Sequence, residues 1–210
     1  MTQLTLYGTP ISTYVRTVRL LLEQAGADYD LESVDIFNGE NQSAEYLAKH
    51  PFGKVPTLQV DEEVIYETSA ITGYLDTVVA NHKFSPTDPL TRARMQQIMA
   101  IIDSYLYAPV IGTIVIQRLI VPSQGGQPDE NKIQAAIAPA KTALEAIEAL
   151  TVGSPYLLGS EISIADFFLI PIFIYFSQTP EFNTITAQSP KIQAWWQEVS
   201  QLPVVKKVCA

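Results

Sequence analysis

His50-Pro51-Phe52-Gly53-Lys54-Val55-Pro56 is followed, eleven positions after its last proline, by Glu67-Thr68-Ser69-Ala70-Ile71, and the two segments together outline a cradle for a small extended peptide. The Val55-Pro56 step leads straight into the apolar alternation of Leu58 and Val60. That pattern predicts a proline at the first position of a strand, where its missing N–H costs no ladder hydrogen bond. An X-Pro bond is cis at a cost of only about 0.5–1 kcal/mol, against about 2.5–4 kcal/mol for other residues. A tight turn holding Pro56 cis would leave the N–H and C=O of Val55 open to a ligand.

The flanking sequence gives this segment a frame. Leu4 and Leu6 alternate with polar residues in a first strand, which Gly8, Thr9 and Pro10 break before Ser12 and Thr13 open a helix. Val15, Val18 and Leu22 recur at helical spacing, and Gly26 suits the left-handed residue that ends such a helix. A strand over 29–34, a short helix over 43–48, a hairpin over 57–66 turning at Asp61-Glu62-Glu63, and a helix over 68–80 complete the order βαβαββα. Ser12 therefore sits at a helix N-terminus, where serine is ordinarily an N-cap. Tyr7, at the end of the first strand, has the ordinary expectation of a core residue with its hydroxyl at the surface.

A polar, broken stretch at 82–88 separates residues 1–81 from 89–210, and Asp88 caps the next helix with Pro89 at its first position. A long helix begins at Leu90, a loop spans 122–128, and a second long helix runs over 130–150, with Pro139 expected to kink it. Ser163-Ile164-Ala165-Asp166 reads as a capping box for a helix that is apolar nearly all round from Phe167 to Ile174. This second part is all helical. The apolar runs 109–116 and 167–176 fall short of the roughly 20 residues that span a bilayer, so both are expected to be buried helices, with no membrane partner.

Composition restricts function further. With 47% hydrophobic and 17% charged residues the chain can bury sizeable cores, and a formal charge of −9 excludes the basic surface that nucleic acid requires. The lone Cys209 permits no intrachain disulfide, and with no secretory signal pattern at the N-terminus this points to the reducing cytoplasm. His50, His82 and the carboxylates show no metal-ligand spacing, and no glycine-rich phosphate loop follows a strand. His50 is expected as an exposed imidazole at a helix end.

Tyr7-Gly8-Thr9-Pro10-Ile11-Ser12-Thr13, the cradle segments, Tyr156-Leu157-Leu158-Gly159 and Ser163-Ile164-Ala165-Asp166-Phe167 jointly resemble the cytosolic glutathione transferases of the serine type (phi-, theta- and delta-like), over essentially the whole chain. The resemblance implies an α/β thioredoxin-like N-terminal domain that binds glutathione, joined to an all-α helical-bundle domain that supplies a pocket for an apolar electrophile. It implies conjugation of the glutathione thiolate to that electrophile, in detoxification or stress response, by a homodimer that needs no cofactor or metal beyond glutathione as co-substrate. Ser12 matches the thiolate-stabilising hydroxyl, with Tyr7 second and Thr13 as an understudy. Glu67 and Thr68 match the γ-glutamyl end, Val55 beside Pro56 the cysteinyl main chain, and Lys54 with Asn41 the glycine carboxylate. Ile11, Tyr105, Pro109 and Ile111 are the expected walls of the electrophile pocket. Thr68, Asn41 and His50 depart from the commonest residues of the pattern, and Ser12 in place of cysteine disfavours disulfide exchange. A glutathione-dependent peroxidase, dehalogenase or isomerase, or a non-catalytic binding module, is the alternative on the same fold.

Overall fold

Period-two apolar residues build one small sheet. In the computed structural model, which describes residues 3–153 and 155–210, strands β1 (Leu4–Tyr7), β2 (Asp30–Glu32), β3 (Thr57–Val60) and β4 (Glu63–Tyr66) lie in the order β2-β1-β3-β4. β1 runs parallel to β2 and antiparallel to β3, which pairs antiparallel with β4. Leu4, Leu6, Leu58 and Val60 share the buried face, as their register requires. Helices α1 (Thr13–Ala25) and α3 (Thr68–Val78) supply Val15, Val18, Leu22, Ile71 and Leu75 to that core, each fully buried. The short α2 (Ala44–Lys49) covers the other face, where Tyr46 meets Thr57. This is the thioredoxin-like order that the sequence predicts. Residues 1–83 and 206–210 form this first unit.

Residues 84–205 form the second unit, which is helical. It contains α4 (Pro89–Ile101), α5 (Glu130–Leu150), α6 (Ile164–Phe176), α7 (Glu181–Thr186) and α8 (Pro190–Val199); α9 (Pro203–Cys209) carries the chain back into the first unit. α5 runs through Pro139 as one continuous helix. α4 does not stop at Ile101: wider π turns at Ile102–Leu106 and Val110–Ile120 extend it, giving a helix of 35 residues from Pro89 to Ser123. The long helix expected from Leu90 thus takes in the apolar run 109–116, and as a whole, unlike that run alone, it is long and apolar enough to cross a bilayer. The reason it serves as a core helix lies in its period. Ile98, Ile102, Leu106, Val110 and Ile114 recur every four residues and are all buried. A regular α-helix would rotate such a stripe by about 40° at each step, and the wider turns keep it on one face. Arg118 near its end is neutralised by Glu130 and Glu181.

The capping box is formed, and it does more than start a helix. The fully buried Asp166 carboxylate accepts the N–H of Leu157 (2.9 Å), the N–H and hydroxyl of Ser163 (2.8 Å each) and Nε1–H of Trp195 (2.8 Å). Burial pushes this carboxyl group above its ordinary range, and the four donors oppose the shift. It ties the loop before α6 and the tryptophan of α8 to one point. Asp166→Ala leaves those donors buried without an acceptor and is expected to cost about 3 kcal/mol or more, read as a fall in the urea midpoint.

Candidate active site

Strand register alone gathers the cradle. Tyr7 pairs with Thr57, and Thr57 with Tyr66, so the end of β1, the start of β3 and the end of β4 lie in one row across the sheet. Adjacent strands are about 4.8 Å apart, which brings the three following or preceding loops within roughly 10 Å of each other. These loops carry Gly8–Ser12, Asn41 and His50–Pro56, and Glu67–Thr68. A Cβ on Gly8 would lie 2.4 Å from Cγ2 of Val15, so glycine is what lets the end of β1 pack on α1, while the 3.4 Å to Cβ of Val55 would be an ordinary contact with the proline loop.

The Val55-Pro56 peptide is cis, as the sequence predicts. Among the described residues, neither the N–H nor the C=O of Val55 has a hydrogen-bond partner. Its neighbours, by contrast, are tied down. Tyr46 Oη donates to the C=O of Lys54 (2.7 Å), and Nδ2 of Asn41 donates to the C=O of Gly53 (2.7 Å), joined by Nε2 of Gln42 (3.3 Å). Gly53 has φ +57°, and an added Cβ would meet Nε2 of Gln42 at 2.3 Å. Asn41, expected on a ligand carboxylate, thus commits part of its amide to holding the loop. Lys54 is exposed beside Val55.

Two helix starts face this row. Ser12 is the N-cap of α1, but its Oγ accepts from the N–H of Val15 at 3.5 Å, a long and weak contact that leaves the hydroxyl proton free to donate elsewhere. The amide groups of the first turn and the aligned peptide dipoles of this 13-residue helix favour negative charge there. Thr13 is buried, and its Oγ1 has no hydrogen-bond partner among the described residues. Tyr7 lies on the opposite sheet face from Leu6, where its Oη donates to Oε1 of Gln59 (2.9 Å) and the Lys49 ammonium sits 4.8 Å from its ring centre. Its phenol points into the α2 layer. At the start of α3, Glu67 is exposed with φ +70°, ψ 118°, a conformation rare for a residue with a side chain, and it leaves the first-turn amides uncapped. Thr68 follows, 8% exposed.

His50 corrects an expectation: it is 2% exposed, not a surface imidazole. Its ring lies among Tyr46, Phe52 and Tyr66, and Nδ1 accepts the N–H of Phe52 at 3.4 Å. Burial is the main cause that holds its pKa below the ordinary histidine value; Glu67 opposes this and Lys54 adds to it. Neither His50 nor Tyr46 could be found as a loop anchor from local spacing, because Tyr66 reaches His50 from β4 and the Tyr46 hydroxyl bonds to Lys54 and Thr57 beyond its helix. Of the expected electrophile contacts, Ile11 is 46% exposed in the first unit, next to Ser12. In the second unit Ile111 is buried, Pro109 is half-buried, and Tyr105 is exposed on a groove with Ile101, Pro139, Thr142, Ala143 and Ala146.

Residues 2–77 match the family model described as glutathione S-transferase, N-terminal domain, and residues 107–203 match glutathione S-transferase, C-terminal domain. A probable glutathione S-transferase GSTF2 of Oryza sativa subsp. japonica is 31% identical, covering 100% of this chain and 97% of the relative. The crystal structure of glutathione transferase F7 from Populus trichocarpa superposes with a TM-score of 0.83 at 31% identity, over 98% of this chain and 97% of that one. Glutathione S-transferase I from mais, in complex with an atrazine glutathione conjugate, gives a TM-score of 0.84 at 27% identity, over 99% of this chain and 96% of that one.

The backbone at Glu67 yields a test by sign. Strain at such a position amounts to about 1–3 kcal/mol, whereas glycine elsewhere costs about 0.5–1 kcal/mol by loosening the unfolded chain. Glu67→Gly is therefore expected to raise the unfolding free energy by about 1 kcal/mol in urea titrations, while Glu67→Ala leaves the strain in place and gains nothing.

Proposed function

The chain belongs to the glutathione S-transferase family, and on that footing we propose that it binds glutathione along the row of loops in the first unit, with the sulfur at the N-terminus of α1. The open main chain of Val55, beside Gly8, is the observation that carries this placement. A folded protein leaves few partly buried main-chain groups unpaired, and an N–H and C=O on one residue form the complement of an extended peptide's own pair. The cysteinyl main chain of the tripeptide fits there. The γ-glutamyl carboxylate rests on the uncapped amides at Thr68 and Ser69, with the Glu67 carboxylate toward the ammonium group. Lys54 meets the glycine carboxylate, and Asn41 contributes by holding Gly53 in place.

Chemistry follows from the thiol. Its conjugate base is the nucleophile, and lowering its pKa requires stabilising negative charge at sulfur. The α1 dipole and the Ser12 hydroxyl supply that stabilisation without a metal or an added base. The thiolate attacks an electrophilic carbon, a C–S bond forms, and with an aryl halide the halide leaves with its bonding electron pair. Ile11, apolar and exposed one residue before Ser12, favours an apolar electrophile. We assign the sulfur contact to Ser12 over Tyr7, whose phenol is engaged with Gln59, and over Thr13, whose hydroxyl is buried. We place the reaction in the cytoplasm, where reducing conditions keep glutathione and Cys209 as thiols.

A homodimer is part of the same proposal. Phe52 stands 66% exposed on a loop that is otherwise pinned, and the helical unit carries an apolar groove of about 420 Å³ lined by Ile101, Tyr105, Pro139 and Ala143. An aromatic ring of one copy seated in the groove of a second would cover both. Phe52→Ser is expected to shift the sedimentation of the protein from dimer toward monomer, and unchanged sedimentation would remove Phe52 from the interface.

Ser12→Ala is the test of the chemistry. Turnover with an aryl halide is expected to fall about 100-fold, the usual loss for one donor to a developing anion, while KM for glutathione stays within about threefold. The pH inflection of kcat/KM moves up toward the free thiol value of about 8.5, because the stabilised anion has lost its donor. Unchanged turnover would transfer the role to Tyr7 or Thr13.

A further inference from the structure

The loop that offers Val55 is anchored by a group able to change charge near neutral pH. His50 ends α2, and it fixes the following turn twice: its C=O accepts the N–H of Gly53 (2.9 Å) and its Nδ1 accepts the N–H of Phe52 (3.4 Å). Its own N–H donates to the C=O of Tyr46. The ring is stacked with Tyr46 (centroids 6.5 Å, 17° between planes), lies 4.9 Å from Tyr66 and meets Phe52 edge-on at 6.1 Å. Thus the imidazole joins α2, the end of β4 and the proline loop. Nδ1 can accept the Phe52 N–H only while it carries no proton, since both ring nitrogens of the imidazolium are donors. Protonation would set two N–H groups against each other and place a charge in a site that is 2% exposed.

Resting on the glutathione reading above, we propose that His50 is a positioning residue for glutathione capture: its neutral ring holds Phe52–Val55 in the shape that presents Val55 to the tripeptide, and its protonation releases that segment. The charged and titratable groups around it do not cancel this response. Tyr46 on α2 and Tyr66 on β4 present their rings to it, and burial pushes the Tyr46 phenol up. Burial, the largest influence, disfavours the proton and Lys54 on the loop adds to it, while Glu67 at the head of α3 and a hydrogen bond to the backbone of His50 favour it. Lys49, next in sequence, leans over the Tyr7 ring. The folded protein therefore keeps His50 neutral at pH 7. Below about pH 6.5 the released form binds the proton better, so affinity is lost as pH falls and is complete above that range.

S-Methylglutathione separates this effect from ionisation of the glutathione thiol, because its sulfur carries no proton. Calorimetric Kd values for the native protein are expected to rise about tenfold from pH ~7.5 to ~5. His50→Asn places an oxygen where Nδ1 accepts and adds no titrating group; its Kd is expected to vary by less than about twofold over the same range. In the unliganded native protein, the backbone amide resonance of Val55 should titrate together with the His50 ring in NMR spectra, a readout that does not depend on a variant folding. A parallel tenfold rise in His50→Asn, a flat native profile, or a Val55 amide indifferent to His50 each overturns the proposal while leaving the glutathione site intact. A native protein that binds S-methylglutathione at no pH overturns the glutathione reading itself, and this inference with it.

Discussion

Main-chain hydrogen bonds inside a folded protein are almost always paired, because an unpaired group sheltered from water costs free energy. Half-buried Val55 has neither its N–H nor its C=O paired among the described residues, and the surroundings hold it in that position. Asn41 and Gln42 hold the residue two places before it, Tyr46 holds the carbonyl immediately before it, and His50 holds the turn from which the loop departs. Gly8, close to Val55 on the other side, is held against Val15 of α1, where no side chain would fit. The open pair is thus presented by a rigid frame, and a peptide that docks there meets groups already in place.

The same end of the sheet gathers the groups to which charge stabilisation is assigned in the proposed reading. Because β1, β3 and β4 end or begin in one row, the helices that leave β1 and β4 both direct their N-termini to it. In the proposed placement one serves the sulfur and the other a carboxylate, so a single arrangement of dipoles would handle two negative charges on one tripeptide. Its strength comes from fixed geometry in place of a mobile base, which suits a nucleophile that has only to lose a proton and stay ionised.

Stability of the helical unit is concentrated at two polar points within an apolar interior. Asp166 collects four donors around the start of α6, and Arg118 joins Glu130 and Glu181 at the end of the long helix that begins at α4. Each is a charged group made tolerable in a sheltered position by several hydrogen bonds. Between them, Phe173 and Trp195 meet edge-on at 5.3 Å. The unit therefore combines fixed polar contacts with aromatic packing, and Trp195 takes part in both.

Sequence by itself determined the strands and helices of the first unit, the cis Val55-Pro56 step and the Ser163–Asp166 box, because each is written in neighbouring residues: a period of two, a period near 3.6, a proline before a strand, or a capping residue three places from its acid. It also yielded the family, through motifs that together are specific although each alone is common. Tertiary structure decided what lay between distant residues. His50 is buried because Tyr66 arrives from β4 to meet the ring stacked on Tyr46, and the amide of Asn41 turns to Gly53 because a loop twelve residues on returns to meet it. The long helix extends through Arg118 because acids 12 and 63 residues away neutralise that charge. Local patterns record what a residue needs from its own turn or strand, and only the folded chain establishes which distant partner satisfies the rest.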